Sequence, residues 1–223
     1  MTSTSTLLHN LPSSTVRRVV VSEMHNNVYL ITSKRTGSQV LIDAADDADA
    51  IMALIASASG DSAAAPAVKL IATTHQHWDH VRALAAMVEL TDAPTAAGAD
   101  DAAGIAAEST VETHRLLGHN ELLVVDDIEL ATVHLRGHTP GSIAYVLQEA
   151  GVPTVIFTGD SLFPGGVGAT GDDPIRFASL IGDVEARVFV RFNDDTIVLP
   201  GHGDATVIGT ERPQLPAWRT RGW

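Results

Sequence analysis

The segment "TTHQHWDH", Thr73–His80, puts three histidines and an aspartate within six residues, His75 to His80. Packing gives no reason for such crowding, because each buried imidazole needs a hydrogen-bond partner or costs stability. A metal site gives one. The flanking sequence says where it lies. "VKLIATT" (Val68–Thr74) is an apolar run of strand length, and Val81, Leu84, Ala85 and Val88 then repeat at helical spacing. The cluster therefore stands at a strand-to-helix junction, where α/β proteins place their active sites.

Three other expected strand ends each offer one more donor. "HLRGHTPGS" places His138 in a Gly/Pro turn after a strand at Ile128–Leu135. "VIFTGDS" places Asp160 directly after the run Thr154–Thr158. "IVLPGHGD" places His202 after Asp195–Pro200, between glycines that let backbone pack close to a site. With His75, His77, Asp79 and His80 this makes seven candidate ligands, enough for two divalent metal ions sharing a bridging carboxylate. The chain has no cysteine, so disulfides, thiolate nucleophiles and iron–sulfur clusters are excluded. Nitrogen and oxygen donors alone point to zinc first, with iron or manganese as alternatives. His9, His25, His114 and His119 read as ordinary surface or core residues, and His134 as a packing or supporting residue near His138.

The apolar content, 45% of 223 residues, is that of a globular chain. Acidic residues outnumber basic ones 27 to 14, a formal charge of −13 that argues against a nucleic-acid partner and for a small-molecule substrate. Residues 1–14 read as a flexible N-terminal tail and 15–223 as one layered α/β domain. With no signal-type segment and no run of eighteen apolar residues, the expected location is the cytoplasm, away from membranes. Thr15–Val21, Asn26–Thr32, Ser38–Asp43 and Ile143–Gln148 read as further strands. Ile51, Leu54, Ile55 and Ala58 mark a helix with Asp46, Asp47 and Asp49 at its start. Another begins near Pro174, with Phe177, Leu180, Ile181, Val184 and Val188 on its apolar face and Asp172 or Asp173 as its cap. The Ala-rich stretch Thr91–Asn120 has no readable period.

With its donors in this order, the chain resembles the metallo-β-lactamase superfamily, whose signature is H-x-H-x-D-H followed by a distant His, Asp and His. The resemblance runs from Asn26 to His202. Within that superfamily "NNVYLI", "HTPGS", "TGDSLFPGG" and "VLPGHG" are similar to glyoxalase II-like (hydroxyacylglutathione hydrolase-like) enzymes. The resemblance implies an αββα four-layer sandwich, two mixed β-sheets flanked by helices, with metals at one edge of the sheets. It implies His75, His77 and His138 on a first metal, Asp79, His80 and His202 on a second, and Asp160 as the bridge. Asp79 and Asp160 are then the catalytic carboxylates, and a water or hydroxide between the ions is the nucleophile.

The activity implied is that of a metal-dependent hydrolase, a glyoxalase II-like thioesterase cleaving an acyl conjugate of a small thiol. A thiolate leaves a tetrahedral intermediate readily, so such a site needs no strong general acid. Only Gly203–Trp223 follows His202, too little for the C-terminal helical region that glutathione-specific relatives often carry, so the thiol stays open. The alternative is a mononuclear-iron persulfide dioxygenase of the same superfamily, with His75, His138 and Asp160 on the iron. A β-lactamase ranks lower, an RNA-processing nuclease is disfavoured by charge, and a non-catalytic module by the intact ligand set. The loop Phe163–Asp173 is expected to rim the site, Trp78 either to wall it or to pack beneath it, and Arg136 to be solvated. The oligomeric state is left open.

Overall fold

The computed structural model describes residues 4–222. Seven strands form a first mixed sheet in chain order: β1 (Thr6–Asn10), β2 (Ser14–Val21), β3 (Asn26–Ser33), β4 (Ser38–Ile42), β5 (Ala67–Ala72), β6 (Thr95–Gly98) and β7 (Arg115–Leu117). The β1–β4 pairings are antiparallel and those from β4 to β7 parallel. Four strands of the second sheet follow: β8 (Leu122–Val125), β9 (Ile128–His134), β10 (Ile143–Leu147) and β11 (Val155–Gly159). A small hairpin, β12 (Leu162–Phe163) and β13 (Gly166–Val167), then precedes β14 (Ile197–Pro200) and β15 (Thr206–Val207). The second sheet has the order β15-β14-β11-β10-β9-β8, and β11–β14 is its parallel pair.

The alternation of side chains along each strand builds the layers. In β3, Tyr29 and Ile31 face the second sheet, while Val28 and Leu30 join Ile51 and Leu54 of helix α1 (Ala48–Ser57). Leu84 and Met87 of α2 (Leu84–Thr91) and Ile105 of α3 (Ala102–Ser109) complete that outer layer. In the second sheet, Tyr145 and Phe157 face inward, and the rings of Tyr29 and Phe157 meet edge to face at 5.3 Å. Ala144, Val146 and Ile156 pack outward on Leu180, Ile181 and Val184 of α4 (Pro174–Val184). A short α5 (Ile208–Glu211) leads to α6 (Leu215–Arg221), which buries Trp218 in the same layer. The result is the four-layer αββα sandwich, with its central core between the sheets.

Two expectations need correction. The polar start of the chain is no flexible tail from Thr6 onward. It pairs as β1 with the edge of β2, from Thr6↔Arg18 to Asn10↔Thr15, and Leu11 enters the inter-sheet core. An edge strand is held by backbone hydrogen bonds, so it needs no apolar period of its own. Met1–Ser3, the start of that tail, lie outside the described residues. The Ala-rich stretch holds β6, α3 and β7, unread because Ala96 and Ala97 are core residues too small to stand out as a pattern. The caps are specific: Asp47 accepts from the Ala50 N–H, and Asp173 from those of Ile175 and Arg176. Among the described residues no helix is long and apolar enough to cross a membrane.

Phe157→Ala, which opens a hole at the inter-sheet contact, is expected to cost about 3–5 kcal/mol of unfolding free energy. Denaturant titration of the metal-loaded protein checks this; a loss under about 1 kcal/mol would contradict close packing of the two sheets there.

Candidate metal centre

Each sheet places its donors at one end through a parallel strand pair. In the β4–β5 pair Ile42 sits beside Ala72, so Asp43 and the Thr74–His75 segment leave the sheet together. In the β11–β14 pair Gly159 sits beside Pro200, so Asp160 and His202 emerge side by side. A single 3-10 turn, Trp78–His80, then swings Asp79 and His80 back toward His75. The β9–β10 turn brings His138.

All seven candidate residues converge. Three groups have their donor atoms within 4.8 Å of one another: His75, His77 and His138; His75, His80 and Asp160; and Asp79, His80 and His202. The Asp160 carboxylate lies between them. Its oxygens are 3.5 Å from His80 Nε2, 3.6 Å from His138 Nε2 and 3.5 Å from His202 Nε2. Asp79 Oδ2 is 3.2 Å from His202 Nε2 and 3.5 Å from His80 Nε2.

Four of the rings are aimed by a partner on Nδ1. His75 Nδ1 donates to the Thr74 hydroxyl at 3.0 Å, since that hydroxyl itself donates to Asp43. His80 Nδ1 donates to Asp43 at 2.9 Å, His138 Nδ1 to the Ala169 carbonyl at 2.8 Å, and His202 Nδ1 to the Met24 carbonyl at 2.9 Å. Each bond commits the Nδ1 proton and turns Nε2 inward, where a cation can replace any proton it carries, as a metal-binding histidine requires. His75 Nε2, His138 Nε2 and Asp160 Oδ1 are buried and have no hydrogen-bond partner. Buried polar atoms left in that way cost about 1–3 kcal/mol each, and a shared cation satisfies them together.

The electrostatics fit the same group. Burial pushes His75 well below the usual imidazole range and also lowers His77 and His138, so these rings are neutral donors. For Asp160 burial favours the neutral acid, but the nearby His80 ring, 3.5 Å away, together with His202 and His138, outweighs it and holds the carboxyl below its ordinary range. Asp79 is lowered too, with hydrogen bonds from His202 and Asn26 outweighing burial. His80 shows the strength of the field: burial opposes its charge, yet Asp160 and Asp43 push it up to about 10. Two ionised carboxylates among imidazoles make a site selective for a cation, and the nitrogen and oxygen donors suit a divalent metal.

Several supporting residues had no assigned role in the sequence reading. Asp43, expected as the last residue of a strand, turns left-handed at φ 58° and accepts from the Thr74 N–H at 2.7 Å as well as from His80. Asp101, hidden in the Ala-rich stretch, is buried and ties two ligand-bearing loops together. It accepts from the Gln76 N–H (3.0 Å), the Thr139 hydroxyl (2.6 Å) and the Gly141 N–H (2.6 Å). Asn26 donates to Asp79 Oδ2 at 2.9 Å. The available signal for Asp43 was its place at a strand's C-terminal end, the position shared with Asp160; Asp101 had none. Two glycines are sterically required. A Cβ at Gly201 would stand 2.3 Å from Asp160 Oδ1, and one at Gly168 would stand 1.7 Å from the Asp160 carbonyl.

The surroundings are equally specific. The Phe163–Asp173 segment packs on the centre through Gly168 and Ala169. Trp78 does not pack beneath the site: it is 48% exposed, with the Arg82 guanidinium 5.0 Å from its ring. Arg136 is held by Asp183 through two 2.8 Å hydrogen bonds rather than simply solvated. His25 is exposed, and His134 Nε2 donates to the Pro140 carbonyl at 2.8 Å. A cleft of about 590 Å³ opens against His77 and His138, walled by Pro140, Ile175 and Ser179.

The model of the Metallo-beta-lactamase superfamily matches residues 21–202. The chain belongs to this superfamily. It is 31% identical over 164 residues to hydroxyacylglutathione hydrolase GloC of Haemophilus influenzae, covering 67% of this chain and 75% of that protein. The crystal structure of ETHE1 from Myxococcus xanthus aligns with a TM-score of 0.76 at 25% identity, over 92% of this chain and 84% of the other. TTHA1623, solved in a di-iron-bound form, aligns with a TM-score of 0.66 at 28% identity, over 87% of this chain and 96% of the other. A metallo-β-lactamase fold with His/Asp clusters of this kind is the framework of a metal-dependent hydrolase.

Asp43→Asn keeps the shape of the residue but removes the charge that orients His80. Metal affinity, measured by chelator competition, is expected to fall about 10- to 100-fold with the circular dichroism unchanged. Equal affinity in the variant would contradict the role given to Asp43. His25→Ala, by contrast, is expected to retain full metal.

Proposed function

We propose that the protein is a binuclear metal-dependent hydrolase, a glyoxalase II-like thioesterase acting on an acyl conjugate of a small thiol. The observation that carries this reading is the pair of donor triads, His75–His77–His138 and Asp79–His80–His202, with the Asp160 carboxylate between them. On this reading each triad holds one divalent ion, zinc first, and Asp160 bridges. Bound there, the ions lower the pKa of a shared water and polarise a substrate carbonyl.

The chain's own residues supply the rest. Asp79 and Asp160 keep the donor set anionic, and Asp43, Thr74, Ala169 and Met24 hold four imidazoles with Nε2 inward. The cleft beside His77 and His138 is large enough to seat part of a small substrate against the centre. With no cysteine to act as nucleophile, water is the natural attacking group, and a thiolate needs little help in leaving. The similarity to hydroxyacylglutathione hydrolase GloC supports a thioester substrate, and the formal charge of −13 supports a small molecule over nucleic acid.

One observation favours a second reading. Among the seven candidate ligands, the buried atoms without partners belong to two histidines and one carboxylate, His75, His138 and Asp160. That set suits a single non-haem iron and so a persulfide dioxygenase. A panel of acyl thioesters assayed with the zinc-loaded protein, beside oxygen uptake on a thiol persulfide with the iron-loaded protein, separates the two. Thioester turnover that falls by at least about 100-fold in Asp160→Ala, with loss of metal, is the expected result. Oxygen uptake without thioester turnover would replace the first reading by the second.

A further inference from the structure

A second cleft, of about 360 Å³, lies along β9 and shares no residue with the candidate metal ligands. Its polar lining is His119, Asn120, Thr132, Arg187 and Arg191, with no acidic residue, although the chain as a whole carries a formal charge of −13. Helix α4 changes character at this point. Residues Glu185–Phe189 form a π-helical turn, a geometry rare in general and frequent at functional sites.

The charges around the cleft do not balance. Arg187, within the π turn, donates through Nη1 to the His134 carbonyl at 2.6 Å and lies 3.3 Å from Asp183. Asp183 is already taken on both oxygens by Arg136. Arg191, four residues beyond Arg187, is exposed and has no carboxylate partner among the described residues. Arg136 and Arg187 thus share one carboxylate, and among the described residues Arg191 faces none. His119 adds a neutral donor: its Nδ1 accepts the His134 N–H at 3.4 Å, which leaves Nε2–H free to donate. Burial first, then the charge of Arg187, disfavours protonation of that ring.

We propose that this cleft is an anion site that takes a phosphate group, either free or on a small molecule. Donors on two separate segments, the 119–120 turn and the π turn with the residues just after it that carry Arg187 and Arg191, match an anion with several oxygens better than a lone carboxylate. Phe192 lines the same cleft and offers an apolar wall for an organic group attached to the phosphate.

The test uses the full-length, metal-loaded protein and follows the ring protons of His119 by NMR while inorganic phosphate is added at constant ionic strength. A saturable shift that chloride does not reproduce is expected. Arg191→Gln should weaken it at least about tenfold while metal content stays at the wild-type level. Adenosine monophosphate serves as a second probe. Tighter binding than phosphate assigns the site to a phosphorylated small molecule, and equal binding assigns it to the free ion. Phosphate held only at the metal centre would leave His119 unshifted and overturn the proposal. Binding by Arg191→Gln with unchanged affinity would overturn it as well.

Discussion

Four hydrogen bonds from histidine Nδ1 atoms hold the candidate centre in its working form. The acceptors are the Thr74 hydroxyl, the Asp43 carboxylate and the carbonyls of Ala169 and Met24, drawn from four different stretches of chain. An imidazole without such a bond can rotate, and either nitrogen can carry its proton. With it, Nε2 is committed inward. The cost is that His75 Nε2, His138 Nε2 and Asp160 Oδ1 end up buried without partners, a cost that a shared cation would remove.

The two-sheet core makes this convergence possible. Both sheets are mixed, and the parallel pairs are the ones that matter: β4–β5 in the first and β11–β14 in the second. Parallel neighbours end at the same edge, so Asp43 stands beside Thr74 and Asp160 beside His202 directly beyond the strand ends. Tyr29 and Phe157 lock the sheets face to face behind them. Tyr29 also donates from its hydroxyl to the Pro200 carbonyl at 2.7 Å, which ties the core contact to the strand that delivers His202.

Much of this could be read from the sequence because it is written in residue types that packing does not use. Histidines and aspartates at the ends of apolar runs mark the candidate donors, and the apolar run in "NNVYLI" or the 3.6 period after Pro174 marks the layers. What stayed hidden had no such mark. β1 is an edge strand held by its backbone, and β6 and α3 are built largely of alanine. Asp43 looked like a strand terminus and Asp101 lay in the unread Ala-rich stretch, because their work is to accept hydrogen bonds from neighbours that only the fold brings near. The basic cleft was equally invisible, since Arg187 and Arg191 meet His119 only across the second sheet's flank.

Two donor triads about one shared carboxylate would give a place for two ions rather than one. Elemental analysis of freshly purified, untagged protein against protein concentration tests it most directly. About two equivalents of divalent metal per chain are expected, zinc alone or mixed with iron and manganese. A single equivalent of iron, unchanged after reconstitution with excess zinc, would contradict this.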